Sequence, residues 1–369
     1  MSPRGFPLPG LAQSQADGPF AMAAPLGGSL LVTALAATSG VALTALLVMP
    51  GRRRRLAAVG GAVGIVLAPL IVGAAVTTRT VATLDVAVVQ GGGPRGVLAD
   101  PARVTARHLA VMQQIVGSPD LVVLPENVVD VDGSIAGSLP DRQIRAQARR
   151  LDTSVVVGIV EKSSNKFRNA AVLWGPDGGR LDRYEKEHRV PFGEYIPARR
   201  LLQFVTDATT LVPRDAIQGE GEALLSAPVG PLGVVISYEV FFADRVREAV
   251  TSGGQVVLVP TNAASYLTPD VPALEVAAAR LRAREFDRAV LQAAPTGYSA
   301  VILPNGTVAA QSRLGAATLL REDVPLRTGL TPYARIGDLP IIILAMAVIV
   351  ARPLTTATRS MLRRHRRRR

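Results

Sequence analysis

Residues 234–242 read VVISYEVFF. Three branched apolar residues, Val234, Val235 and Ile236, make a buried strand, and the stretch FFADRVREAV beyond them has helical spacing. Between strand and helix stands Ser237, with the carboxylate of Glu239 two residues on. A strand-to-helix turn exposes a side chain at the edge of a sheet, which is where some hydrolases hold a nucleophile. The glycines of a Gly-x-Ser-x-Gly elbow do not flank this serine. The hydroxyl is therefore open to two readings, a nucleophile or a small buried group bonded to backbone.

Outward from this turn, strand-like and helix-like stretches alternate. LDVAVVQ, DLVVLPE, TSVVVGIVE, NAAVLWGP, QVVLVPTN and YSAVILPNG read as strands. ARVTARHLAVMQQIV, DRQIRAQARRL and VPALEVAAARLRAREFDRAVL read as helices. Such alternation predicts an α/β layered fold. Pro176-Asp177-Gly178-Gly179 closes a strand with a turn. The glycines at 91–93 follow a strand, but no Gly-Lys-Ser/Thr follows them, so a tight turn is favoured over a phosphate loop.

The ends of the chain differ from this middle. No charged residue occurs from Gly27 to Met49, nor from Leu56 to Thr78. Each run is long enough to cross a bilayer, and Arg52–Arg55 lies between them. Arginine-rich loops stay in the cytoplasm, so residues 27–78 are expected to form two transmembrane helices with a cytoplasmic arginine loop. A third apolar segment, 336–353, is expected to span as well and to leave the basic tail 354–369 in the cytoplasm. Both arginine clusters then place 80–335, the α/β domain, outside the cytoplasm of a multi-pass plasma-membrane protein. Residues 1–26 lack the basic start of a signal peptide and read as an extracytoplasmic or interfacial arm. The net charge of +12 sits largely in the arginine runs beside apolar segments, which favours a membrane over nucleic acid as partner. With no cysteine and only His108, His188 and His365, no thiolate or zinc site is expected, and no cofactor.

Of 41 basic residues, only Lys162, Lys166 and Lys186 are lysines. Lysine offers a compact charge that arginine does not. The first two lie in the polar loop EKSSNKF, where a solvated charge suffices. Lys186 lies in DRYEKEHRVPFGEYIP, ahead of a Pro-Phe-Gly turn. Glu126 ends the apolar run LVVLPE; a strand-end carboxylate facing a cavity is a candidate general base, and a helix cap or a surface strand end is the equal alternative.

A Glu at one strand end, a Lys before a turn and a nucleophile slot at another strand end follow the order of the carbon-nitrogen hydrolase (nitrilase) superfamily. YEKEHRVPFGEYIP, NAAVLWGPDGGRLDRY, VVISYEVFFADRVRE, PTGYSAVILPNG and TPYARIGDLP resemble its membrane branch, the apolipoprotein N-acyltransferases. FPLPGLAQSQADGPFAMAAPLGGSLL is similar to that branch's extracytoplasmic arm. The resemblance implies a nitrilase-like α-β-β-α sandwich attached to transmembrane α-helices. It implies transfer of an acyl chain from a phospholipid donor to the N-terminal amine of a diacylglyceryl-lipoprotein acceptor, through an acyl-enzyme. Glu126 then matches the base, Lys186 the cation at the oxyanion, and Ser237 the slot of the nucleophilic cysteine. Glu194 and Glu239 match supporting carboxylates, Tyr238 the tyrosine after the nucleophile, and Asn262 the first residue of a substrate-facing loop.

Three departures follow. Serine replaces cysteine, so an acyl-enzyme would be an ester, and the proton of Ser237 needs a base. The loop TNAASYLTPD departs from the family's Asn-Asp-Ala-Trp-Phe-Gly at Ala263, Ser265, Tyr266 and Leu267. The family also carries more N-terminal helices, expected here from a separate polypeptide or from an earlier start. The alternative function is a catalytically inactive homologue that binds lipid or lipoprotein or supports a membrane enzyme. A plain amidase is a third reading, which leaves the membrane segments unexplained.

Overall fold

The computed structural model describes residues 10–94, 100–199, 212–266 and 268–350. Its first sheet contains β1 (Arg79–Gln90), β2 (Leu121–Val123), β3 (Val129–Asp132), β4 (Ser154–Lys162), β5 (Lys166–Trp174), β6 (Arg180–Glu185) and β7 (Asp215–Ala216). The second contains β8 (Leu224–Ala227), β9 (Gly230–Val234), β10 (Val256–Pro260), β11 (Val290–Ala293), β12 (Ala300–Ile302) and β13 (Val308–Gln311). The last strand, β14 (Thr318–Thr328), returns to the first sheet and pairs antiparallel with β1, from Arg79 opposite Thr328 to Gln90 opposite Thr318. The strand orders are β14-β1-β2-β4-β5-β6, with β3 on β4 and β7 on β5, and β13-β12-β11-β10-β9-β8.

Along β1 the side chains alternate between two cores, as the pleat requires. Leu84, Val86 and Val88 face inward and meet Leu232, Val234, Leu258 and Leu291 of the second sheet. Ala87 and Val89 face outward, toward Leu109, Met112 and Ile144. Those residues belong to helices at 101–113 and 139–151. On the far side, Val257, Val259 and Val290 pack under Ala279, Ala283 and Phe286 of the helix at 270–286. The layers are therefore helix, sheet, sheet, helix, as the resemblance implies.

After a single helical turn at Leu11–Ser14, the helices among the described residues are, in chain order, α1 (Ala24–Val48), α2 (Arg52–Ala74), α3 (Pro101–Gln113), α4 (Leu139–Leu151), α5 (Ala243–Thr251), α6 (Asp270–Phe286), α7 (Pro332–Ile336) and α8 (Leu339–Val350). Local sequence sets their starts. Asp100 caps α3 by accepting from the Ala102 N–H at 3.1 Å, and Ser138 caps α4 by accepting from the Asp141 N–H at 3.2 Å. The helix expected over 102–116 stops at Gln113, and the chain turns at Gly117, with φ 74°.

Pro19–Val48 and Arg52–Ala74 are each long and apolar enough to cross a membrane. Their large apolar side chains lie outside the domain: Leu47 is 74% exposed and Ile71 69%. Such a surface needs an apolar surrounding. The hairpin is nonetheless anchored on the domain. The Ser29 hydroxyl donates to Glu285 at 2.8 Å and accepts from Arg282 at 2.9 Å, both of them buried. Gly28, at φ 61°, leaves room for the Tyr333 ring, which a Cβ at this position would strike. Of the expected arm, residues 1–9 lie outside the described residues, and Ala21 and Ala23 of the remainder are fully buried. The third apolar segment divides at Gly337, with φ 65°, so its apolar helix begins at Leu339 rather than 336. Its end at 351–353 and the tail 354–369 lie outside the described residues.

Candidate active site

In both sheets the parallel strands end on the same side, and the polar residues of the candidate site follow those ends. Glu126 stands just beyond β2. Its turn comes so near β4 that a Cβ on Gly158 would collide with the Pro125 carbonyl oxygen and the Glu126 Cα. A glycine there is what lets the carboxylate sink to 3% exposure. Lys186 follows β6 and is 2% exposed; its N–H donates to the Asn169 carbonyl at 2.9 Å. Glu194 comes back toward it through the Pro-Phe-Gly turn, where Phe192 takes φ 60°.

These residues form one buried cluster. The Lys186 ammonium donates to Glu126 Oε1 at 2.9 Å and to Glu194 Oε1 at 2.7 Å. The Asn169 amide donates to the same two oxygens, at 2.6 and 3.2 Å. Glu194 Oε2 accepts from the Val190 N–H at 2.9 Å. Burial works against the ammonium, but two carboxylates outweigh it and hold the Lys186 pKa above its usual value. Burial raises the Glu126 pKa; Lys186 opposes this and the charge of Glu194 adds to it. With two acids beside it, the ammonium of Lys186 stays charged despite its burial.

Ser237 caps the second sheet. It begins a single 3-10 turn, Ser237–Phe241, and has φ 49°, a left-handed conformation rare for a residue with a Cβ. Glu239 holds that turn. Its oxygens accept from the N–H groups of Ile236, Glu187 and His188 at 2.7–2.9 Å and from the Tyr184 hydroxyl at 2.7 Å. Burial would raise its pKa, but the His188 ring beside it and then these donors hold it below the usual value. Glu239 thus ties the loop carrying Lys186 to the turn carrying Ser237.

Glu126, Lys186, Glu194, Ser237, Tyr238 and Asn262 line a single cavity of about 770 Å³. Glu239, fully buried, lies behind the turn. Tyr238 packs edge-on against Phe242, with centroids 5.1 Å apart, and Asn262 folds its own loop by accepting from the Ala264 N–H at 3.0 Å.

The sequence reading missed two residues that touch Ser237. Its hydroxyl donates to Glu275 Oε1 at 3.2 Å and lies 3.1 Å from the Thr261 hydroxyl, which itself donates to Glu275 at 2.6 Å. Thr261 ends β10 as Glu126 ends β2, which was a usable signal. Glu275 is an acid on the buried face of α6, 4% exposed. Burial, together with the charge of Glu126, lifts its pKa to about 7 against the opposing hydrogen bonds from Thr261 and Ser237.

A carbon-nitrogen hydrolase family model matches residues 85–331. The chain belongs to the carbon-nitrogen hydrolase family. Its relatives place it with the apolipoprotein N-acyltransferases. It is 31% identical to the apolipoprotein N-acyltransferase of Methylococcus capsulatus over 351 residues, which cover 94% of this chain and 69% of that one. It is 32% identical to the Mycolicibacterium smegmatis enzyme of that name over 239 residues, 62% of this chain and 39% of that one. The chain thus spans well under half of one such relative and about two thirds of the other. Two solved nitrilase-superfamily structures share the fold of the carbon-nitrogen hydrolase domain. They are Nit3 of Saccharomyces cerevisiae (TM-score 0.50, 18% identity, 71% of this chain and 97% of that one) and XC1258 of Xanthomonas campestris (TM-score 0.51, 20% identity, 66% and 91%).

Proposed function

We propose that the chain is a membrane acyltransferase that moves an acyl group from a phospholipid to the N-terminal amine of a diacylglyceryl-cysteine lipoprotein, with Ser237 as nucleophile. The observation that carries this is the buried Glu126–Lys186–Glu194 cluster, which faces Ser237 across one cavity in a domain anchored to an apolar hairpin. In the first half-reaction the Ser237 Oγ attacks the acyl ester carbonyl. The bond to lysophospholipid oxygen breaks, and that oxygen leaves with a proton. Lys186 stabilises the tetrahedral oxyanion as a fixed cation in a water-poor site. In the second half-reaction the acceptor amine attacks the acyl-serine, gives a proton to Glu126, and restores the Ser237 hydroxyl. The domain faces away from the cytoplasm, the apolar helices within 27–78 and the one beginning at Leu339 cross the plasma membrane, and further helices would be supplied by a separate chain or by upstream sequence.

One experiment separates this from the binding alternative, which the serine itself favours because an ester yields to an amine less readily than a thioester. Wild type, Ser237→Cys and Ser237→Ala are incubated with phospholipid vesicles and examined by intact mass for an acyl adduct. Adducts on wild type and cysteine, and none on alanine, are expected. An adduct on cysteine alone would mean a preserved site around a disabled nucleophile, and a supporting role. No adduct on any of the three would reduce the resemblance to fold.

A further inference from the structure

Ser237 needs a base, and the cluster inherited from a cysteine site does not touch it. Among the described residues, Glu126 Oε1 is taken by Lys186 and Asn169, and neither Glu126 nor Lys186 bonds to the Ser237 hydroxyl. A thiol ionises near pH 8.5 with little help, so a distant carboxylate can serve it. An alcohol cannot ionise at neutral pH and must hand its proton over during attack. We propose that Glu275 is the general base for Ser237, and that Thr261 positions the pair, making a serine–glutamate dyad on the second sheet that works against the lysine cluster of the first.

The geometry has three parts. The Ser237 hydroxyl already donates to Glu275 Oε1 at 3.2 Å, so the proton lies on its transfer path. Thr261 reaches both oxygens, at 3.1 and 2.6 Å, and restrains the carboxylate beside the hydroxyl. Both partners are buried, Ser237 at 7% and Glu275 at 4% exposure, and both line the cavity. An isolated buried carboxylate without a lysine or arginine bonded to it is unfavourable. Packing alone does not account for one placed under a hydroxyl in the left-handed conformation. A pKa near 7 makes the group ionised enough to accept a proton and acidic enough to return it.

The step balances without a further reactant. As the Oγ–C bond forms, Glu275 takes the Oγ proton and passes it to the leaving lysophospholipid oxygen. When the amine later opens the acyl-serine, the proton it gives up returns through the carboxylates to the departing Oγ.

The inference rests on Ser237 being the nucleophile, and its test does not depend on the phospholipid. The solubilised full chain is treated with a fluorophosphonate. Ser237 Oγ displaces fluoride from phosphorus by the same proton transfer. Wild-type labelling, read by mass at Ser237, is expected to rise through pH 7. In Glu275→Gln it should fall by about 100-fold or more and lose that inflection, the range of a lost general base. Thr261→Val should lose a smaller factor and keep the inflection. The control is the cysteine background. Ser237→Cys and Ser237→Cys/Glu275→Gln should react with iodoacetamide within about threefold of each other at pH 9, because a thiol supplies its own anion. Equal labelling of wild type and Glu275→Gln, or no labelling of wild-type Ser237 at any pH, would overturn the proposal. So would an equally deep loss in the cysteine pair, which would make Glu275 a purely structural residue. Labelled Ser237 without acyl adducts from phospholipid would sink the transferase reading and leave the dyad standing.

Discussion

At the scale of single residues, the site distinguishes a compact cation from a planar one. Lys186 is wedged between two carboxylates, at 2.9 and 2.7 Å, with 2% exposure. A guanidinium is longer and forked, so Lys186→Arg should lose acyl-enzyme formation about as fully as Lys186→Ala, by a factor of about 100 or more for a displaced oxyanion donor. Near-normal adduct formation in the arginine variant would show that charge alone suffices. Glu275 has a stability signature of its own. Its pKa is about 7 in the fold against 4.5 in a free chain. Ionising it in the fold is therefore unfavourable: the penalty is absent below pH 4.5, grows as pH rises to 7, and is constant above. Melting curves should accordingly show Glu275→Gln gaining on wild type between pH 5 and pH 8; a difference that does not change with pH would contradict the shift. Lys186 and Glu126 were legible because each breaks a local pattern, a lone lysine among arginines and an acid at the end of an apolar run. Glu275 was not, since it is one acid on a helix with others, and its partner Ser237 is 38 residues away in sequence.

At the scale of elements, the position of Glu126 depends on a backbone approach. β4 passes so close to the turn after β2 that only a glycine fits at 158. Gly158→Ala should push Glu126 off Lys186, lowering both the melting temperature and the yield of acyl adduct, with the destabilisation about 1–3 kcal/mol, as for other overpacked sites. Unchanged melting and unchanged acylation together would mean that β4 yields without moving the carboxylate. The strand-to-helix turn at VVISYE and the α/β layering were readable from the sequence, because apolar runs end abruptly in polar residues and the pattern repeats; the two-sheet sandwich was legible only through the family resemblance. The ends of α3 and of the C-terminal apolar helix were not. At both places a glycine with positive φ, Gly117 or Gly337, redirects the chain, and periodicity carries no sign of that.

At the scale of the whole molecule, the membrane orientation proposed from charge is open to labelling, since the chain has no cysteine of its own. Ser163→Cys, on an exposed loop of the domain, should react with an impermeant maleimide in intact cells. Arg53→Cys, in the first turn of α2, should react only after permeabilisation. Reversal of the pair would invert the assigned topology. The pairing of β1 with β14 has a mechanical meaning. Arg79 lies opposite Thr328, so the chain leaves the sheet toward α2 and toward α7 and α8 at neighbouring points. If the apolar helices on these two leads, α2 and α8, are drawn apart, by lateral tension or by a neighbour, the load falls on that one pair first and then on the next. The ladder peels rung by rung instead of shearing as a block, and the first strands to separate are those nearest the bilayer. Under tension, the lids of the sandwich would remain shut while its seam parts.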